Sequence, residues 1–219
     1  MANIIVTAFE PFATNKKNPT EALLERIPDH LYNYRVYKVT LPVVYNHAFD
    51  RLLPLIEKHK PVLILMLGLA YGRSHVNVER IAVNVADSKT KDNLGNIIEE
   101  QRIEEDGPDG LFTTLPLEAI MERFRKKKLP VRISNTAGTY VCNNLFYKTL
   151  HYLKTYDLDT KAGFVHVPPF PDMVHETDHV PSMSKSVMVD AVMGILDVAL
   201  NPIDYKKTAQ KVQGAKKAK

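Results

Sequence analysis

The sequence predicts a single-domain α/β/α sandwich built on a mainly parallel, mixed central sheet. Three observations carry that expectation. Strand-like and helix-like segments alternate along almost the whole chain, as they do where helices connect neighbouring parallel strands. The run VLILMLGLA, residues 62–70, is apolar throughout, which suits a strand covered on both faces. A length of 219 residues with 45% hydrophobic and 25% charged residues suits one domain with a sizeable core.

The elements follow in chain order. NIIVTAF near the N-terminus reads as a buried strand. NPTEALLERI opens a helix, with Asn18 as its cap, Pro19 at the first helical position and Glu21 at the third. YRVYKVTLPV is a second strand. YNHAFDRLLPLIEKHK is amphipathic, and Pro54 is expected to kink or break it, because proline offers no N–H to the helix. VLILMLGLA, bounded by Pro61 and Gly72, is the next strand, and VNVERIAVNVADS is an extended pair or one long strand. Residues 88–110 are polar and irregular, and a loop of that length is expected to be functional or mobile. PLEAIMERFRKKK is helical, with Leu117, Ile120, Met121 and Phe124 on one face. VRIS is a strand, TYVCNNLFYKTLHYLK a helix, AGFVHVP a strand, and SKSVMVDAVMGILDVAL the closing helix. In a sheet of this kind sites form beyond the carboxyl ends of the strands.

Charge and cysteine usage narrow the class. The net charge of +4 comes from the tail: KKTAQKVQGAKKAK holds six of the 29 basic residues, leaving 23 against 25 acidic ones in residues 1–205. Residues 1–205 are therefore read as the folded domain and 206–219 as a basic, disordered tail, and no nucleic-acid partner is expected. The N-terminus MANIIVTAFEPF has neither a basic leader nor a long apolar core, so no signal peptide and no membrane association are expected. The single cysteine cannot close an intrachain disulfide, and a reducing cytoplasm fits.

That cysteine, Cys142, falls near the third position of a helix that Thr139 could cap, behind Gly138. A lone cysteine is usually a small buried apolar residue. In a first helical turn, however, the positive end of the helix dipole and unpaired N–H groups lower a thiol's pKa, and the same N–H groups can hold an oxyanion. A nucleophilic thiol needs a base. Of the eight histidines, His30, His47 and His59 lie in polar or helical surface settings, and His151 sits too far along the cysteine's own helix. His166, near the carboxyl end of an apolar strand, could reach the rim where Cys142 emerges; the alternative is a hydrogen-bonded core histidine. Glu79 shares a strand face with Ile81, Val83 and Val85, so its carboxylate needs a partner. Orienting an imidazolium would supply one, and a salt bridge to Arg73 or Arg80 is the structural alternative.

The motifs TAFEPFATNKKNPT, GLAYGRSHVNVERIAVNVADSK, DGPDGLFTTLPLEAI, SNTAGTYVCNN and GFVHVPPFP, spread over roughly residues 3–200, resemble in order those of the type I pyroglutamyl peptidases, also called pyrrolidone carboxyl peptidases. The resemblance implies a cysteine exopeptidase that removes N-terminal pyroglutamate from peptides by acyl transfer, with Cys142, His166 and Glu79 as its triad. It implies that Phe9 and Phe12 line an apolar pocket for the pyroglutamyl ring, with Leu69, Val141 and Lys89 as further substrate-binding positions. It also implies N-terminally pyroglutamylated peptides as partners, a homo-oligomer as an open possibility, and no metal or organic cofactor. The chain departs from many bacterial members, which carry glutamine at the position of Leu69, a common arginine at that of Lys89, and more glycine where it has Ala8, Ala13, Thr14 and Tyr71. Nonpolar residues stand at the Leu69 position in animal relatives.

Two other readings compete. HETDH, His175 to His179, matches the zinc-peptidase pattern HExxH, which works only on a helix. Here it is squeezed between PPFP and Pro181 without an apolar helical stripe. The other reading is a non-catalytic scaffold of the same family that binds a ligand without turnover.

Overall fold

The computed structural model describes residues 1–12, 16–174 and 179–201. Its elements are β1 (Ala2–Phe9), α1 (Pro19–Leu24), β2 (His30–Leu31), β3 (Tyr34–Leu41), α2 (His47–His59), β4 (Leu63–Leu69), β5 (Val76–Glu79), β6 (Ile81–Val83), β7 (Ala86–Ser88), β8 (Ile98–Gln101), β9 (Gly110–Phe112), α3 (Leu117–Lys127), β10 (Val131–Ser134), α4 (Val141–Thr155), β11 (Lys161–Val167), a short 3-10 turn (Pro171–Met173) and α5 (Lys185–Leu200).

Seven strands form one sheet in the order β10-β5-β11-β4-β1-β3-β2. The apolar run becomes β4, whose seven residues are all buried between two helical layers. Strand alternation divides the core. Leu63, Leu65 and Leu67 face a cluster built with α1, α3 and α5, whereas Ile64 and Met66 face one built with α2 and α4. This is the expected α/β/α sandwich with a mixed sheet. The strands β3, β1, β4 and β11 run parallel, while β5 lies antiparallel to β11 and carries β10 parallel to itself.

Local chemistry accounts for most element boundaries. Asn18 caps α1 by accepting the Thr20 N–H at 3.1 Å, and Pro19 occupies the first helical position. Helix α2 runs unbroken from His47 to His59 despite Pro54, which corrects the expected break. Pro54 and Asp50 are both exposed, so the Asp50 carbonyl that loses its helical donor is open to water. The short strand β2, which pairs antiparallel with β3, has no signature in the sequence pattern.

The polar stretch 88–110 is not one long structureless loop. Two small ribbons, β7 with β8 and β6 with β9, order it. Between them the buried Asp92 carboxylate accepts the N–H groups of Leu94 and Asn96 at 2.9 Å each. Against the cost of burial, these bonds and, foremost, one from the Asn96 side-chain amide at 2.9 Å hold the carboxyl below the usual range. The boundary expected at residue 205 lies outside the described residues. Among the described residues no helix is long and apolar enough to cross a membrane.

Candidate active site

Gly68 and His166 are direct partners across the parallel ladder of β4 and β11. Both project toward the α4 layer, because Ile64 and Met66 on β4 and Ala162 and Phe164 on β11 share that face by alternation. At Gly68 there is no side chain, and the space is used: a Cβ there would lie 3.1 Å from Cys142 Sγ and 2.7 Å from the Phe164 ring. The sulfur is therefore seated over Gly68, in the row beside the imidazole. The glycine permits this close approach of helix to sheet, and its presence inside a run of large apolar residues was the sequence signal for it.

Glu79 reaches the imidazole from the other side. Strands β11 and β5 are antiparallel, with His166 opposite Asn77, so Glu79 is two residues along on the same face. His166 Nδ1 lies 2.8 Å from Glu79 Oε1, and the carboxylate is fully buried. A carboxylate accepts only, so the imidazole carries a proton on Nδ1 and turns Nε2 away from Glu79. Arg73 donates to the same Oε1 at 2.9 Å, and also to Ser134 Oγ at 2.9 Å and the Thr136 carbonyl at 2.8 Å. The two partners weighed for Glu79, an imidazole and an arginine, are thus both present. Arg80 instead turns to Asn135. The strand also breaks at Arg80, since β6 joins a different sheet, so the parity inferred with Ile81 and Val83 does not extend beyond Glu79.

Cys142 is the second residue of α4, and Tyr140, not Thr139, is the N-cap. Thr139 is engaged elsewhere, its hydroxyl donating to the Asp87 carbonyl. Gly138, with φ of +77°, makes the turn into the helix in a conformation that a side chain would strain. The expected lowering of the thiol pKa is not found. Burial and, next, the Glu79 charge push it up from 9.0 to about 12, outweighing the pull of its own backbone N–H and of Arg73. Desolvation of a thiolate wins over one helix end. The geometry at β10 also differs from a simple parallel rim. Because β10 and β5 run against β11 and β4, residues 135–140 must turn back to start α4 above Gly68.

The remaining candidate positions divide between the site and its surroundings. Phe9 is buried at the end of β1 with its ring 6.4 Å from Phe164, and Val141 is buried as the first residue of α4. Phe12, half-buried, stacks at a tilt on Tyr140 with centroids 6.3 Å apart. Leu69 ends β4 one residue past Gly68, so alternation puts its side chain on the opposite sheet face from Cys142 and His166. Lys89 is exposed just beyond β7.

Sequence reasoning passed over three contributors to this wall. Tyr140 meets Tyr45 edge to face at 5.5 Å, and its hydroxyl donates to the Lys91 carbonyl at 2.9 Å. Asn93 donates to Glu10 Oε1 and the Pro11 carbonyl, both at 2.9 Å, and ties the loop that carries Phe12 to the turn organised by Asp92. The DNLG run was the available sign of that turn. Aromatic rings beside a row of half-buried thiol, buried imidazole and buried carboxylate are suited to acyl transfer on a compact neutral group.

Among the described residues no three His, Cys, Asp or Glu side chains cluster as metal ligands. Four residues of HETDH, from His175 to Asp178, lie outside the described residues, as do Ala13 and Thr14.

Residues 2–201 match the family model of the pyroglutamyl peptidases. The chain is 39% identical over 197 residues to the pyrrolidone-carboxylate peptidase of Thermococcus onnurineus, covering 90% of this chain and 98% of the relative. It is 37% identical over 189 residues to pyrrolidone-carboxylate peptidase 1 of Caldanaerobacter subterraneus, covering 86% and 93%. The crystal structure of pyrrolidone carboxyl peptidase from Pyrococcus furiosus superposes with a TM-score of 0.87 at 36% identity, covering 91% of this chain and 99% of that one.

Proposed function

The chain belongs to the pyroglutamyl peptidase family, and from that premise we propose that Cys142, His166 and Glu79 are the triad with which it removes N-terminal pyroglutamate from peptides. The observation that carries the assignment is the buried contact of His166 Nδ1 with Glu79 Oε1, on the sheet face where Cys142 Sγ sits over Gly68. The enzyme is a cysteine peptidase.

The chemistry follows from the protonation states. With its pKa raised to about 12, the free Cys142 group is a thiol at neutral pH. It becomes a nucleophile when His166 Nε2 takes its proton, and Glu79 stabilises the imidazolium so formed. The thiolate attacks the carbonyl carbon of the pyroglutamyl residue. The tetrahedral oxyanion is assigned to the backbone N–H of Cys142, in the first turn of α4. The imidazolium then gives its proton to the leaving amine as the C–N bond breaks, leaving a thioester. Water, deprotonated by the same imidazole, cleaves the thioester and releases pyroglutamate and the free thiol.

The ring of the substrate is assigned to the space walled by Phe9, Phe12 and Val141, with Tyr140 beside them. Lys89 is proposed to contact substrate at the pocket mouth, and Leu69 to contribute through its backbone at the end of β4. The reading needs no metal. A chain with one thiol at its centre works best in a reducing compartment, which we take to be the cytoplasm, and its slightly acidic body leaves nucleic acid out of its partners.

The test is release of a reporter amine from a pyroglutamyl amide by the purified wild type, Cys142→Ser and Glu79→Gln. Cys142→Ser should be inactive. Glu79→Gln, which keeps nucleophile and base but loses the imidazolium's partner, should fall by about 10²–10⁴-fold. An active Cys142→Ser removes the nucleophile assignment, and a fully active Glu79→Gln makes that carboxylate structural.

A further inference from the structure

We propose that Arg73 is a positioning residue of this hydrolysis: its guanidinium holds the Glu79 carboxylate against His166 and ties it to the turn that leads into the Cys142 helix. The proposal rests on the triad reading above and extends it to a residue outside the triad.

The first ground is shared geometry. Arg73 Nη1 and His166 Nδ1 meet the same carboxylate oxygen, Glu79 Oε1, at 2.9 and 2.8 Å. The other oxygen, Oε2, is buried and has no hydrogen-bond partner among the described residues. Any shift of the guanidinium therefore shifts the atom that orients the imidazole. The second ground is reach. The same guanidinium bonds Ser134 Oγ and the Thr136 carbonyl, at the end of β10 and in the turn that runs through Gly138 to Cys142. One planar fork thus spans the orienter of the base and the approach to the nucleophile, a task lysine's single ammonium cannot do in full.

The third ground is charge. Glu79 has no exposure, and its charge opposes thiolate formation at Cys142. With Arg73 in place, the reactive form pairs two anions, Cys142 and Glu79, with two cations, His166 and Arg73. Without it, the thiolate forms beside an uncompensated buried carboxylate. The neighbouring arginines do not substitute: Arg80 bonds Asn135 from the same segment, and Arg132 of β10 bonds Asn77. Among the described residues, the charged and titratable groups in contact with Glu79 are Arg73 from the turn before β5 and His166 from β11, with Cys142 of α4 acting on it through charge.

The experiment compares pH profiles of kcat/KM for a pyroglutamyl amide among wild type, Arg73→Lys, Arg73→Gln, Glu79→Gln and the double variant Arg73→Gln/Glu79→Gln. Loss of the cation lets both Cys142 and His166 hold their protons more tightly. Arg73→Gln should therefore move both limbs of the bell by about one unit to higher pH and lower kcat/KM at neutrality about 10- to 100-fold, mostly in kcat. Arg73→Lys should keep the limbs in place with a smaller loss. On the Glu79→Gln background, where no carboxylate remains to be held, Arg73→Gln should cost less than about threefold. The double variant removes both charges of the pair together, so this last comparison stands even where the single Arg73→Gln chain fails to fold. A uniform fall with unmoved limbs, wild-type activity, or the full penalty on the Glu79→Gln background would each overturn the proposal. Full activity of Glu79→Gln alone would remove the triad reading, and this proposal with it.

Discussion

Replacing Gly68 by alanine adds one methyl group at the point where sheet, thiol and aromatic wall meet. Gly68 does not have a positive φ, so alanine fits the backbone and crowding is the whole effect. The new Cβ would stand 2.7 and 2.8 Å from two atoms of the Phe164 ring and 3.1 Å from Cys142 Sγ. Ordinary contact begins at 3.4 Å, so the ring must retreat by about 0.7 Å and the sulfur by about 0.3 Å. The ring has little room, packed by Phe9, Phe146 and His166 at centroid distances of 6.4, 5.9 and 4.8 Å. Overpacking of this kind costs about 1–3 kcal/mol, and the stiffer unfolded chain returns about 0.4–1 kcal/mol. A net loss of about 1–2 kcal/mol corresponds to a fall of about 2–8 °C in Tm. The effect on rate is larger, because Phe164 moves against the imidazole while the sulfur is pushed off its seat, and misplacements approaching 1 Å cost about 10²-fold. We expect Gly68→Ala to remain folded and to lose about 10- to 100-fold in kcat/KM for a pyroglutamyl amide, with thermal unfolding measured on the same preparation. A folded variant that keeps half or more of the wild-type kcat/KM would refute the seating of the thiol over Gly68.

Two further outcomes follow from the same site. The folded chain holds the Cys142 proton up to about pH 12, whereas the unfolded chain gives it up near 9.0. This group's contribution to stability is therefore intact below pH 9 and lost as pH climbs toward 12. Denaturant unfolding should show the wild type losing stability between pH 9 and 11 faster than Cys142→Ser, and parallel curves would count against a desolvated thiol. The second outcome is specificity: a pocket that hydrogen-bonds the lactam should reject prolyl amides, which lack the ring carbonyl and carry a charged amine, by about 10⁴-fold or more with the same leaving group. Comparable prolyl turnover would mean that the chain is a broader aminopeptidase.

The fold was largely legible because its signals are local. The buried character of VLILMLGLA, the cap at Asn18 and the apolar stripes of the later helices each report a neighbourhood that the nearby sequence dictates. The members of the proposed triad were findable one at a time for the same reason: a cysteine in a first helical turn, a histidine near the end of an apolar strand, and a carboxylate on a buried strand face. Pro54 misled because helix propensity knows nothing of solvent. An exposed carbonyl satisfies itself with water, and the helix continues. The thiol's pKa misled in the opposite way, since a position in the first helical turn is visible in sequence and the desolvation that outweighs it is not.

The amino-acid sequence by itself determined the layers, the apolar strand at their centre and the identities of the side chains proposed to react, because periodicity and residue chemistry act within a few residues of each position. Only the tertiary structure decided which groups share an atom. Strand β5 lies antiparallel to β11, and this places Glu79 diagonal to His166 and within 2.8 Å of its Nδ1, though 86 residues lie between them in the chain. The missing side chain of Gly68 opens the seat for a sulfur 74 positions away, and Arg73 reaches across to β10 and the turn beyond it to bond Ser134 and Thr136. Such contacts depend on strand order and direction, which arise from how the whole chain buries its apolar faces and leave no mark on the local pattern of any one segment.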